Sequence, residues 1–167
     1  MNVRINSLVN EINKSIEILN KIIHFYHEYT NKDTDHTKSI MQQEYAIVIS
    51  EIIANYYTCI ETIFLRISQY FENDLKPERW HKHLLDKMRI QIDDVRIQAI
   101  SDDTYYLLLE LLKFRHFKRY YFEFNYDIDK INFLEKKLGQ LDPLIRKDLE
   151  QFLSFMQQLA KEDQINE

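Results

Sequence analysis

Glycine and proline are so scarce in this chain that they constrain its fold before any motif is considered. The 167 residues contain one glycine and two prolines. A β-rich fold of this length needs many tight turns, and turns draw heavily on these two residue types. The scarcity therefore predicts an all-α protein built from long helices with few breaks.

The helix boundaries are predicted from apolar residues at helical spacing and from capping residues. Ser101, followed by two aspartates, is a good N-cap, whereas Gly139 is expected to end a helix and Pro143 to begin one. The predicted helices cover about residues 5–29, 39–71, 80–88, 102–122, 127–139 and 143–161, with breaks over 30–37 and 73–77. We expect a single domain over residues 1–167, an antiparallel helical bundle of about five or six helices.

Charge, cysteine content and hydropathy indicate where the protein works. A net charge of −5 argues against a protein that binds nucleic acid over its whole surface. The one cysteine, Cys59, fits a reducing cytoplasm, and neither a signal-peptide pattern nor an apolar run of about 20 residues occurs. We expect a cytoplasmic protein without membrane contact. No Gly-rich phosphate loop and no metal-ligand spacing are found, so neither a cofactor nor a metal is expected.

The basic stretch 113–119 interrupts the apolar pattern of its predicted helix. Five of its seven residues are Lys, Arg or His. At about 100° per residue, one sector of this helix holds Leu108, Leu111, Leu112, Arg115, Arg119 and Phe122. Arginine is rarely buried unless something pairs with it, so Arg115 and Arg119 are candidates for function. Lys113 and Lys118 lie off that sector and also fit a solvated basic turn.

The second predicted helix contains a matching anomaly, because Glu61 shares a face with Tyr57 and Phe64. A carboxylate on an apolar face needs a cation or several hydrogen-bond donors. We expect Glu61 to face Arg115 or Arg119 across the bundle and to orient its guanidinium. The alternative is a glutamate at the edge of the apolar sector that reaches water.

Three segments together resemble HepT-like proteins of the HEPN superfamily. They are 57–61 (YTCIE) with Phe64, 80–85 (WHKHLL) with Met88, and 114–116 (FRH) with Arg119. The resemblance extends over about residues 53–155 and implies a HEPN-like helical bundle that forms a homodimer. It also implies the toxin of a toxin–antitoxin or phage-defence pair. The usual partner is a minimal nucleotidyltransferase antitoxin, which neutralises the toxin by adding AMP to a tyrosine near the active site.

The same resemblance implies a metal-independent ribonuclease site, in which Arg is followed after four to six residues by His and often by Tyr two residues later. Arginine can hold the charge of a phosphorane, and histidine can move a proton near neutral pH. Counted from Arg115, Tyr120 stands at the His position and Phe122 at the Tyr position. A phenol with a pKa of about 10 is a weak proton shuttle at pH 7, and Phe122 cannot accept AMP.

The candidate site residues follow from these observations. The candidate catalytic residues are Arg115, Arg119, Tyr120, His116 and Glu61. His116 lies about 100° around the helix from Arg115, and a packing or surface role fits it as well. Tyr120 is also the candidate for AMP modification, because Tyr121 points away from the sector that carries the arginines.

A second group of residues is expected to contact RNA outside the reacting centre. It consists of Lys113, Lys118, Trp80 and His81. The Trp80 and His81 rings could stack on a base; alternatively, Trp80 closes the end of the bundle and His81 caps a neighbouring helix. The 11 Tyr and 10 Phe exceed what a small core needs, which favours a homodimer interface.

Two functions remain open from the sequence. The first is a HEPN toxin that cleaves RNA with Arg115 and Arg119 at the phosphate and with Tyr120 or His116 in a non-standard proton role. The second is a catalytically degenerate HEPN module that binds RNA or a nucleotidyltransferase partner without cleaving.

Overall fold

The computed structural model describes residues 2–31, 39–72 and 80–165, and these residues form an all-α bundle, as predicted. Its five helices are α1 Asn2–Thr30, α2 Ser39–Phe71, α3 Trp80–Met88, α4 Asp102–Tyr120 and α5 Ile128–Ile165. The starts and ends predicted for α1, α2 and α3 are confirmed to within about three residues. The predicted breaks at 32–37 and 73–77 lie outside the described residues.

Helix α2 forms the centre of the bundle and packs against each of the other four helices. Its buried side chains include Tyr56, Ile60, Ile63 and Phe64. By length and composition alone, Ile40–Phe71 is apolar enough to cross a membrane, but 61% of its most apolar stretch is buried inside the bundle. The hydropathy of α2 is therefore explained by its central position in the core.

Helix α4 begins where the sequence predicts and ends two residues earlier. The Ser101 side chain accepts the Thr104 N–H at 3.3 Å, which caps the helix, and the buried carboxylate of Asp148 accepts the Ser101 N–H at 2.9 Å. The helix ends at Tyr120. Phe122 therefore lies outside the helix with 84% of its surface exposed, and its assignment to the apolar sector was wrong.

The predicted division of the last helix at Gly139 and Pro143 was wrong, because α5 continues through both. Leu138, Leu141 and Ile145 are fully buried on one continuous face, and their burial favours an unbroken helix. Asp142, expected to cap a new helix, instead accepts the Tyr56 hydroxyl of α2 at 2.7 Å. Pro143 has no N–H to donate to the Gly139 carbonyl one turn earlier. Gly139 and Pro143 are exposed, so water can bind that carbonyl instead.

The connection between α3 and α4 is held by a buried arginine that the sequence interpretation missed. Arg96 donates to Glu72 Oε1 through Nε at 3.0 Å and Nη2 at 2.6 Å. The same guanidinium also donates to the carbonyls of Lys87, Ile90 and Ile97. These bonds fix the end of α3 against the end of α2.

Candidate active site

A polar cluster lies where α2, α3 and α4 meet. Helix α2 contributes Glu61, which is 4% exposed in the middle of an apolar face. Helix α3 contributes His81, and α4 contributes Arg115 and His116. The burial of Glu61 follows from the 3.6-residue period of α2, which places it among the core residues, and its charge then requires partners.

The guanidinium of Arg115 is fixed by two side chains of α2. Its Nε donates to Thr58 Oγ1 at 3.0 Å, and its Nη2 lies 3.3 Å from Glu61 Oε2. It also lies over the Tyr57 ring, 5.9 Å from the centroid. The expected Glu61–arginine pair is therefore found, with Arg115 as the partner. About a quarter of the Arg115 side chain (23%) stays exposed, so an anion can approach a preoriented guanidinium.

The other oxygen of Glu61 is held by His81. His81 Nδ1 lies 2.6 Å from Glu61 Oε1, and the His81 side chain is 12% exposed. An ionised carboxylate can only accept, so Nδ1 carries the hydrogen and Nε2 is the nitrogen left for other contacts. The sequence assigned His81 to stacking on RNA. One feature of the sequence indicated a second partner for Glu61: a buried carboxylate has two oxygens and needs more than one hydrogen-bond donor.

The Tyr57 hydroxyl is the third group, after Arg115 and His81, that interacts with the Glu61 carboxylate. Burial is the largest cause that raises the pKa of the Tyr57 hydroxyl, and the charge and hydrogen bond of Glu61 raise it further. The hydroxyl therefore stays protonated across the physiological pH range and can donate to the carboxylate. Arg115, His81 and Tyr57 together account for a charged glutamate inside the bundle.

His116 lies beside His81 at the solvent edge of the cluster. The two rings are 5.3 Å apart between centroids and nearly perpendicular, at 85°. Loss of water around the His116 ring is the largest cause that lowers its pKa below the ordinary value, and His81 and Arg115 act in the same direction. His116 is therefore mostly neutral at pH 7, in the form that accepts a proton.

Glu61→Gln is expected to lower the pKa of His116 further, because Glu61 supplies the charge that raises it. An NMR titration of the His116 ring measures this shift. Glu51→Gln is the matched control, since it removes an exposed carboxylate from the same helix and should leave the midpoint unchanged. A His116 midpoint at or above the ordinary value of about 6.5 in the unaltered protein would contradict this electrostatic description.

Arg119 and Tyr120 lie on the open side of the last turn of α4. Arg119 is exposed, and its guanidinium lies 5.8 Å from the centroid of the Tyr120 ring. Tyr120 is 70% exposed and, five residues after Arg115, lies about 140° around the helix from it. The structure thus does not bring Tyr120 into the Glu61 cluster, and its catalytic role and that of Arg119 stay predictions.

The remaining candidates are distributed around this cluster. The Trp80 ring packs on His81 with centroids 3.8 Å apart, and Trp80 is half-buried. Lys113 pairs with Glu110 at 2.7 Å, and Lys118 pairs with Glu51 of α2. Both lysines therefore have acidic partners within the chain, and a role for any of the three in binding RNA stays a prediction.

An apolar cavity of about 520 Å³ lies apart from the cluster, between α1 and α2. It is lined by Ile18, Lys21, Ile22, Phe25, Ile47, Val48, Glu51, Ile52 and Asn55. This lining holds no histidine or arginine, so we place the candidate chemistry at Glu61, His81, Arg115 and His116 instead.

The family described as HepT-like protein matches residues 48–156. The match covers well over half of the chain and includes all residues of the cluster, in agreement with the resemblance seen over about residues 53–155. Neither the search of curated proteins nor that of solved structures found a match.

Proposed function

The chain belongs to the HepT-like protein family, and from this premise we propose that it is a metal-independent endoribonuclease, the toxin of a toxin–antitoxin pair. The observation that carries the proposal is the guanidinium of Arg115, which Thr58 and Glu61 hold in place while part of it stays open to solvent. A guanidinium that is held in place but partly exposed can bind an RNA phosphate through paired hydrogen bonds. A guanidinium with a purely structural role would be expected to be fully covered by its partners.

The proposed reaction is attack of an RNA 2′-hydroxyl on the adjacent phosphate. In this proposal, negative charge builds up on the phosphoryl oxygens as the phosphorane forms, and the guanidinium of Arg115 stabilises that charge. Arg119, one turn further along α4 and exposed, offers a second positive charge for the same phosphate. Because the net charge of −5 repels RNA over most of the surface, attraction of RNA would depend on this local basic site.

The first test of this function is incubation of cellular RNA with the purified protein in the presence of a metal chelator. We expect discrete cuts that increase with time and with protein concentration. Binding without any cuts would instead support the degenerate module, an alternative favoured by the presence of Tyr120 at the motif His position. A gain of cleavage in Tyr120→His would then support that alternative further.

We also propose a minimal nucleotidyltransferase antitoxin that modifies Tyr120. The Tyr120 ring is exposed, whereas the Tyr121 hydroxyl donates to the Asn125 carbonyl at 2.7 Å. Incubation with such an enzyme and ATP should add the mass of one AMP group to the chain, and Tyr120→Phe should prevent this. Tyr121→Phe is the matched control and should still be modified. Modification of Tyr120→Phe would show that another residue is the acceptor.

We further propose that two copies of the chain form a homodimer through the end of α4. Phe122 and Phe124 are large, exposed aromatic residues just beyond the end of this helix. Exposed aromatic clusters of this kind favour protein–protein contacts. Light scattering at micromolar concentration should give the mass of two chains, and a strictly monomeric mass would contradict this part of the proposal.

A further inference from the structure

The proposed cleavage needs two proton transfers, and the motif histidine that would serve one of them is replaced by Tyr120. One proton must leave the attacking 2′-hydroxyl, and one must reach the departing 5′-oxygen. Tyr120 is a phenol on the open side of α4, outside the Glu61 cluster. The groups suited to proton transfer near pH 7 are instead the two imidazoles, His81 from α3 and His116 from α4, with ring centroids 5.3 Å apart.

The Glu61–His81 contact joins a carboxylate to an imidazole at 2.6 Å, the arrangement by which a carboxylate orients a histidine for proton transfer. The 2.6 Å bond to Glu61 fixes the hydrogen on Nδ1 and directs the ring, so that Nε2 is the nitrogen available to a substrate. The Trp80 ring also packs on the His81 ring, with centroids 3.8 Å apart and 31° between the ring planes.

We propose that His81, oriented by Glu61, is the general acid of this site and that His116 is its general base, an inference that rests on the proposed ribonuclease function. His116 accepts the 2′-hydroxyl proton while O2′ forms a bond to phosphorus. The P–O5′ bond breaks, its electron pair stays on O5′, and O5′ takes a proton from His81. The products are a 2′,3′-cyclic phosphate and a 5′-hydroxyl.

The surroundings of the two rings support this division of roles. His116 faces His81, Arg115 and Arg119, and its lowered pKa leaves it neutral and able to accept a proton at pH 7. His81 faces the carboxylate of Glu61 on α2 and the His116 ring on α4. After one turnover His116 is charged and His81 is neutral, and proton exchange with water restores both.

The mutational test uses His81→Asn and His116→Asn, because the asparagine amide can keep a hydrogen bond near Nδ1 but cannot transfer a proton. Each change should lower the cleavage rate by at least about 100-fold. His83→Asn is the matched control, on the exposed side of the same short helix, and should cleave like the unaltered protein. The cleavage rate of the unaltered protein should rise and then fall with pH. His116→Asn should lose the rise at low pH, and His81→Asn should lose the fall at high pH.

The sharper test uses an RNA whose scissile 5′-oxygen is replaced by sulfur. A thiolate leaves without protonation, because a thiol has a pKa of about 8.5. This substrate should restore cleavage by His81→Asn but not by His116→Asn. With the unaltered protein it should abolish the alkaline limb of the pH profile, a result that does not depend on whether any variant folds.

The outcomes separate the inference from the function on which it rests. Cleavage by a folded His81→Asn protein at the unaltered rate, or an alkaline limb that persists with the sulfur substrate, would overturn the role of His81 while leaving the ribonuclease proposal intact. Absence of cleavage by the unaltered protein on the oxygen substrate would overturn the ribonuclease proposal and this inference together.

Discussion

Arg115→Ala is expected to lower the rate of RNA cleavage by about 10²- to 10³-fold. The change removes the guanidinium that Thr58 and Glu61 hold in place, and with it the charge that stabilises the phosphorane. The fold should survive, because Glu61 keeps its 2.6 Å contact with His81. Steady-state cleavage rates and thermal unfolding of the same preparations measure both effects.

Arg115→Lys and Lys136→Ala are the matched variants for this experiment. Lysine keeps the charge but loses the planar fork that contacts Thr58 and Glu61 together, so we expect it to recover only part of the activity. Lys136 is an exposed lysine of α5 outside the candidate site, so its removal should change the rate by less than about tenfold. Full activity in folded Arg115→Ala protein would contradict the assigned role of Arg115.

Arg96→Ala is expected to destabilise the fold by about 3–5 kcal/mol, because it removes one partner of a buried ion pair and leaves the Glu72 carboxylate with Lys87 alone. The Arg96 side chain is 0% exposed, and its loss leaves Glu72 and the three carbonyls with fewer donors. Chemical denaturation measures the change. Arg96 holds the end of α3, and His81 lies on the same helix. If α3 shifts in Arg96→Ala, His81 moves with it and the cleavage rate should fall. Arg89→Ala is the control in the same connection, where a partly exposed pair with Asp102 should contribute about 1 kcal/mol or less.

The cost of Arg96→Ala should also depend on pH. Burial alone would raise the pKa of Glu72, but hydrogen bonds from Arg96 and Lys87 outweigh it and hold that pKa below its ordinary value. A depressed pKa in the folded state adds stability above the ordinary value of about 4.3, and this is lost as pH falls through the folded pKa. The difference in unfolding free energy between the two proteins should therefore shrink below about pH 4. A difference that is constant across this range would contradict the importance of the Glu72 charge.

The sequence predicted the helices well because their signals are local. Periodic apolar residues located α1, α2 and α3, and the cap at Ser101 located the start of α4. The local signals failed at Gly139 and Pro143, where a tertiary contact decides the outcome. Asp142 was read as a cap, but its bond to Tyr56 and the burial of its neighbours keep α5 continuous.

Only part of the candidate site could be predicted, because some of its contacts depend on tertiary packing and not on local sequence patterns. A carboxylate and an arginine on two apolar faces favoured a pair between Glu61 and an arginine of α4, but the sequence left Arg115 and Arg119 open as the partner, and the structure shows Arg115. The Glu61–His81 and Glu72–Arg96 contacts join residues 20 and 24 positions apart across different elements. Their formation depends on the angle and register at which α3 packs on α2, which no local pattern encodes.

The most direct test of the proposed ribonuclease function is cleavage of a short RNA by the metal-free protein, compared with the same RNA carrying a single 2′-deoxy nucleotide at the cut. This function predicts a 2′,3′-cyclic phosphate and a 5′-hydroxyl from the first substrate and no cut at the substituted position in the second. Cleavage of the deoxy-substituted position, or products with a 3′-hydroxyl and a 5′-phosphate, would contradict it.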